Sequence, residues 1–396
     1  MKNILLLSSL YPSDDVKTKN NTSVCHYFAK EWLKMGYNVR VFYLYNEYPR
    51  FLYPILKIAQ GFLANKVSTA ILAERKHQEY NYLMDGIKVT RIPVYKKKPH
   101  GDFSENVISL TVDRVRTIIH RESFVPDYIL GHCILPGVRI VSSLGASFPN
   151  AVTAVTIHGI ENKKILTVQN CLPKIDYIGY RSYPIKNSFE QIYGERPCFM
   201  CFSGVPESYI TQGGKNFENG VHKYIYVGNF MKRKFPSVII PAIAKNYKEG
   251  DFSITYVGDG NGKNTIDKQV KEYHAENNVI FTGRVDRTEV TKLMDNSEVF
   301  IMISKAETFG LVYLEAMARG CITIASRNEG MDGIIVNGEN GFLCNAGDSE
   351  ELGRIIEAIK QMDQDSLCKV SMMAIKTASK MTDKIMAEEY IKALSR

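Results

Sequence analysis

The chain has 396 residues and no run of about 18 consecutive apolar ones, the length that a membrane-crossing helix needs. Its first ten residues hold one lysine and a short apolar core, Ile4–Leu7. No small-residue cleavage site stands before Tyr11-Pro12, so a first strand is expected there and not a signal peptide. Eight cysteines are scattered, mostly within apolar runs, and Cys198-x-x-Cys201 is the only close pair. No second pair or histidine cluster completes a zinc set, so a reduced, cytosolic protein is expected rather than a metal or disulfide scaffold. Internal repeats and low-complexity segments are missing as well, and so is any nucleic-acid motif. The excess of positive charge, +8, is modest and suits anionic ligands or an anionic membrane face. What is present is a soluble globular composition, 45% hydrophobic and 23% charged, in a chain long enough for two domains.

The most informative stretch is Glu298–Ser326. Val299–Ile303 is apolar and β-branched and predicts a buried strand. A tight Ser304–Phe309 loop carrying Glu307 follows it. Gly310 opens a short helix through Leu311, Leu314 and Met317, Gly320 ends it, and Cys321–Ala325 predicts the next strand. A β-loop-α-β unit of this kind implies parallel pairing and an α/β fold. Free N–H groups at the helix start suit a phosphate. Two carboxylates beside that anion, Glu307 and Glu315, make sense if they accept hydrogen bonds from hydroxyls. A ligand with both phosphate and hydroxyls, such as a nucleotide sugar, meets both demands. Glu315 lies roughly 6–8 Å along the helix, about the reach from a diphosphate to its ribose. A buried helix with two surface glutamates is the plain alternative.

Glu307-Thr308-Phe309-Gly310-Leu311 and Glu315-Ala316-Met317-Ala318-Arg319-Gly320 resemble the Glu-x7-Glu signature of retaining glycosyltransferases of family 4. The resemblance is strong over residues 224–343 and patchy before 150. It implies a GT-B fold, two Rossmann-like domains facing across a cleft. The acceptor domain is expected over 1–210 and the donor domain over 220–379, with Thr211–Gly220 as linker and a closing helix in 380–396 that returns to the first domain. It further implies a nucleotide-sugar donor held by Asn229, Arg233, Lys234, Arg284, Val285, Glu307, Thr308, Phe309, Gly310, Leu311 and Glu315. Glu315 would take the ribose hydroxyls and Glu307 those of the sugar. Lys234 would hold the leaving diphosphate. The family's Arg just after the glycine is Asn229 here, a missing charge that Lys232 or Arg233 could supply.

In the first half, Ala151–Ile157 predicts a strand that ends in His158-Gly159-Ile160-Glu161. This resembles the family's His-Gly-x-Asp element, which would set His158 over the donor sugar as a catalytic residue, with domain closure bringing it there. A satisfied histidine at a strand end is the other reading. His132 matches a weaker position and would play a supporting part. His26 reads as a structural helix residue. The loop where relatives carry glycines holds Asn20-Asn21-Thr22.

No Asp-x-Asp motif stands in a suitable loop, so neither a metal nor another cofactor is expected. Between residues 51 and 100, nine Lys or Arg stand against three acids, beside aromatics and leucines. That suits an anionic membrane surface on the cytoplasmic face and a polyprenyl-linked saccharide acceptor. An inserted helix with a solvated basic face fits the same residues. The function implied is retaining sugar transfer in cell-surface polysaccharide or glycolipid synthesis. A nucleotide-sugar epimerase or a phosphorylase shares the architecture but lacks the Glu-Thr-Phe-Gly-Leu motif. A noncatalytic nucleotide-sugar-binding scaffold subunit is the alternative from another class.

Overall fold

A computed structural model describes residues 1–14, 23–54, 78–97, 102–132, 137–159, 166–248 and 250–395. Asn20-Asn21-Thr22, Glu161, and residues 55–77 and 98 of the basic segment lie outside them. The chain divides into two compact units. Met1–Arg181, Ile185–Cys201 and Met386–Arg396 form the first, and Ser182–Pro184 with Phe202–Ile385 form the second.

The first unit is an eight-stranded sheet. Its strands are β1 (Asn3–Ser8), β2 (Asn38–Glu47), β3 (Tyr80–Met84), β4 (Ile87–Tyr95), β5 (Tyr128–His132), β6 (Val152–Ile157), β7 (Tyr177–Tyr180) and β8 (Cys198–Met200). They lie in the order β3-β4-β2-β1-β5-β6-β7-β8. All pairs are parallel except β3 with β4. That hairpin turns at Asp85-Gly86, both in the left-handed region at φ 48° and 81°. An Asp-Gly pair between alternating strands is its sequence signal. The parallel strands are buried on both faces. Ile4 and Leu6 join one core and Leu5 and Leu7 the opposite one, all at 0% exposure. Each such side chain contributes about 1.5–3 kcal/mol of transfer free energy.

Helices α1 (Val24–Lys34), α2 (Glu105–Arg121), α3 (Val138–Ser147), α4 (Leu166–Cys171) and α5 (Tyr183–Tyr193) connect these strands. α1 ends where Gly36 takes φ 85°. The last helix of the chain, here α12 (Asp383–Leu394), joins this unit from Met386 onward. The only tryptophan, Trp32 of α1, is fully buried and donates from Nε1 to the Ala387 carbonyl at 3.1 Å. Tyr390 packs edge-on against Phe28 and Trp32, with ring centroids 5.4 and 5.2 Å apart.

The second unit is a six-stranded, wholly parallel sheet in the order β11-β10-β9-β12-β13-β14. Its strands are β9 (Lys223–Val227), β10 (Ser253–Val257), β11 (Val279–Gly283), β12 (Val299–Ile301), β13 (Ile322–Ser326) and β14 (Phe342–Cys344). Helices α6 (Ile239–Ala244), α7 (Lys263–Glu272), α8 (Arg287–Asp295), α9 (Leu311–Ala318), α10 (Ser349–Gln361) and α11 (Gln364–Ser379) connect or flank them.

Two boundaries differ from expectation. The division between the units falls at Cys201–Phe202, before the glycine-rich Thr211–Gly220 stretch. That stretch is packed within the second unit. Thr211 donates to the Ala318 carbonyl at 3.1 Å, Lys215 Nζ caps the end of α8 by donating to the Met294 and Asp295 carbonyls at 2.9 Å each, and Phe217 is 2% exposed. Glycines and polar residues mark a loop, and local partners make it a rigid one. A proline in a first turn predicts a helix from Phe235-Pro236; it begins instead at Ile239, because Phe235 adopts φ 47° between two 3-10 turns, Lys232–Lys234 and Pro236–Val238.

Candidate functional site

In an open parallel sheet, ligands bind at the carboxyl ends of strands where the strand order reverses. In the second unit that point lies between β9 and β12, because β9–β11 run to one side of it and β12–β14 to the other. The loops leaving these two strands are Gly228–Lys234 and Met302–Gly310, and they hold most of the expected site residues.

The two loops are latched to each other. Lys305 N–H donates to the Arg233 carbonyl at 2.7 Å, and Arg233 Nη1 donates to the Lys305 and Ala306 carbonyls at 3.3 Å. Lys234 Nζ lies 3.6 Å and Arg233 Nη1 3.7 Å from Glu307 Oε2. These are Coulombic pairs longer than hydrogen bonds. The Lys234 and Glu307 side chains are each 14% exposed, so the pairing is screened little. Ser304 Oγ donates to Glu307 Oε2 at 3.4 Å and also meets Tyr313 Oη at 3.1 Å. Tyr313 in turn donates to the Met302 carbonyl at 2.6 Å. Burial raises the Tyr313 phenol well above its ordinary value, so it stays a neutral donor.

Glu329 is a residue of this site that sequence reasoning missed. Its Oε1 accepts from Ala306 N–H at 2.9 Å and its Oε2 from Glu307 N–H at 2.7 Å. Ala306 sits at φ 56°, an unfavourable conformation for a residue with a Cβ, and the Glu329 fork holds it there. A carboxylate beside a glycine, Glu329-Gly330, was its one signal. A Cβ on Gly330 would stand 2.6 Å from the Phe309 Cα, so glycine permits the close approach. Gly310 takes φ 78° at the start of α9, where a Cβ would strike the Tyr313 ring. Thr308, Gly310 and Leu311 are half-buried around this turn, whereas the Phe309 side chain is 2% exposed and packs on Phe202. Phe309 therefore offers a ligand its backbone alone.

Asn229 follows Gly228, and its neighbour in space is Arg284, whose Nη2 donates to Asn229 Oδ1 at 3.3 Å. Gly258 makes the approach possible. At φ 134°, its missing Cβ would lie 2.1 Å from the Gly228 carbonyl oxygen. Gly258 N–H also donates to the Gly283 carbonyl at 2.8 Å, which draws the end of β11, with Arg284 and Val285, to the same rim. Glu315 is buried at 8% exposure and accepts from Arg287 Nε at 2.8 Å and Nη2 at 2.5 Å. Burial raises its carboxyl pKa and the Arg287 charge opposes the rise. The structure thus groups Lys234, Arg233 and Glu307, sets Arg284 against Asn229, and gives Glu315 a partner of its own.

His158 belongs to the first unit. It follows β6, and its Nε2 lies 3.2 Å from Nδ1 of the fully buried His132 at the end of β5. His132 Nε2 is 3.1 Å from Tyr390 Oη, which is 3.2 Å from Thr156 Oγ1. Burial, then the Arg181 charge, then His132 push the His158 pKa well below 6.5 and keep it neutral. His26 is structural as expected, with Nδ1 2.8 Å from Tyr11 Oη and Nε2 3.1 Å from Asp85 Oδ2. Burial lowers its pKa against the pull of Asp85. Among the described residues, no group of three or more His, Cys, Asp or Glu is placed to hold a metal ion, and no helix is long and apolar enough to cross a membrane.

Residues 212–381 match the model of the family described as glycosyl transferases group 1. This stretch of the chain is therefore similar to that family. It is 37% identical over 143 residues to N-acetyl-alpha-D-glucosaminyl L-malate synthase of Bacillus anthracis, covering 36% of each chain. It is 32% identical over 133 residues to the lipopolysaccharide core biosynthesis glycosyltransferase LpsE of Rhizobium meliloti, covering 34% of this chain and 38% of that one. The chain thus spans just over a third of the length of each of these relatives. The fold is GT-B. Anabaena HepE in complex with UDP superposes over 100% of both chains with a TM-score of 0.71 at 16% identity.

Two predictions follow from the geometry around Glu329 and His158. Glu329→Ala removes two charge-assisted bonds, each worth about 1.5–3 kcal/mol. The amides of Ala306 and Glu307 should then exchange hydrogen markedly faster while the sheet amides do not, and unchanged exchange would refute the latch. Separately, His26 and His158 have native pKa values below the ordinary 6.5 of the unfolded chain. Below that value the unfolded state binds more protons, so stability is full above it and is lost as pH falls toward the native values. His158→Gln should flatten this slope by up to about 1.4 kcal/mol per pH unit. Urea titrations on both sides of the unfolded value check it.

Proposed function

We propose that this protein is a retaining, metal-independent glycosyltransferase. It moves a sugar from a nucleotide-sugar donor to a saccharide acceptor, in polysaccharide or glycolipid synthesis. The observation that carries the reading is Glu307 opposed to Arg233 and Lys234 at the switch point of the donor-side sheet. Cations hold a diphosphate, and a carboxylate among them accepts from sugar hydroxyls, so the cluster suits a ligand that has both.

In the reaction, the bond from the sugar's anomeric carbon to the diphosphate oxygen breaks and its electron pair leaves with the nucleoside diphosphate. The acceptor hydroxyl oxygen bonds to that carbon on the same face, and its proton passes to a leaving phosphate oxygen. Lys234, Arg233 and the backbone N–H groups at the start of α9 stabilise the growing negative charge. Arg284, beside Asn229, returns the charge that Asn229 lacks. Glu307 orients the donor sugar and Glu315 the ribose. Thr308, Gly310, Leu311 and Val285 line the donor, Phe309 by its backbone. His158, neutral and oriented by His132, acts on the donor sugar's hydroxyls.

UDP and UDP-glucose, bound by HepE, are the first donors to test. With a competent donor and acceptor, Glu307→Gln and Lys234→Ala should each lower turnover by about 10²–10³-fold with unchanged circular dichroism. Wild-type turnover should survive EDTA. Normal turnover in either variant would sink the assignment, and nucleotide binding without donor hydrolysis or transfer would favour a noncatalytic scaffold.

The acceptor is lipid-linked in this reading, and the protein docks on the cytoplasmic face of the plasma membrane through the basic segment 51–98. Its support is that Phe51 and Leu83 are 70% and 74% exposed in that basic stretch. The protein should float with anionic liposomes and not with neutral ones. Equal behaviour with both would remove the membrane proposal.

A further inference from the structure

Glu315 is buried, yet it is expected to meet a ligand. A buried carboxylate without a partner tends to take up a proton, which turns one of its acceptor positions into an O–H donor and weakens it as a partner for hydroxyl donors. Arg287 changes that balance. Its Nε and Nη2 both donate to Oε1 of Glu315, at 2.8 and 2.5 Å, which leaves the lone pairs of Oε2 for another donor. Three features fix the guanidinium. Arg287 is the first residue of α8, whose start is capped by Asp286 accepting from Glu289 N–H at 2.9 Å. The other end of α8 is held by Lys215 Nζ on the Met294 and Asp295 carbonyls. The Tyr209 ring lies against the guanidinium, 5.0 Å from its Cζ to the centroid.

We infer that Arg287 is a positioning residue for the donor's ribose: it holds the Glu315 carboxylate in one orientation, so that Oε2 accepts the ribose hydroxyls of the nucleotide. The inference rests on the donor-site reading above and adds to it a residue outside the Glu-x7-Glu motif. A purely structural ion pair would stabilise the unit and be indifferent to whether a nucleotide has ribose hydroxyls. A positioning pair makes exactly that difference visible, because only the hydroxyl-bearing ligand uses Oε2.

The test is calorimetric binding of UDP, GDP and ADP, each beside its 2′,3′-dideoxy analogue, to the full chain. Wild type should favour the ribose form of its nucleotide by about 10-fold or more, as expected for hydrogen bonds to a charged group. Arg287→Met and Glu315→Gln should each bring that ratio close to one, and the double variant should go no further. Affinity for the dideoxy form should stay within about 2-fold of wild type, which also certifies the fold. Arg287→Lys should restore part of the ratio. Retention of the full ratio in Arg287→Met, or equal weakening of both ligand forms, would overturn the positioning role. Absence of nucleotide binding, or of any ribose preference, in wild type would instead overturn the donor-site reading itself.

Discussion

One carboxylate opposed to two cations at the end of a parallel sheet is the interaction on which the second unit's site depends. Glu307 holds its place through the chain rather than through its own side chain. Glu329 grips the amide N–H groups of Ala306 and Glu307, and Arg233 grips the carbonyls of Lys305 and Ala306. The left-handed Ala306 and Gly310 turn the loop sharply enough for this to happen. Backbone conformation, latch and charge therefore form one unit, and loosening any of them displaces Glu307 from Lys234.

The same logic operates in the first unit with different chemistry. Its strand order reverses between β1 and β5, and the carboxyl end of β5 carries His132. There the feature at the strand ends is a chain of aromatic rings and hydroxyls, Tyr390–His132–His158 with Thr156. Burial and the Arg181 charge push the His158 pKa well below its ordinary value. The last helix takes part directly, because Tyr390 is both a core side chain against Trp32 and a hydrogen-bond partner of His132. A C-terminal segment that reads as plain packing in sequence thus orients a polar group.

Much of this was legible beforehand. Continuous apolar runs marked β1, β6, β12 and β13, since burial on both faces of a parallel sheet demands them. Glu307, Lys234 and Glu315 stood out because carboxylates and cations at a strand end and helix start have few other uses. The β3–β4 hairpin, Glu329, Arg287 and the Arg284–Asn229 contact were not legible as site features. Each of the last three depends on partners 20 or more residues away, whereas the hairpin carries a local signal in its Asp85-Gly86 turn.

By itself, the sequence determined the α/β class, the duplicated strand-and-helix plan and which charged residues stand at strand ends and helix starts. These are local properties, set by hydrophobic period, glycine placement and side-chain chemistry over short spans. Tertiary structure decided which cation stands beside which carboxylate. It paired Glu315 with Arg287, brought Arg284 to the position where Asn229 lacks a charge, and set Glu329 under the Glu307 loop. Strand order and the close approach of Gly228 to Gly258 decide those meetings, and neither is encoded in any single stretch of chain.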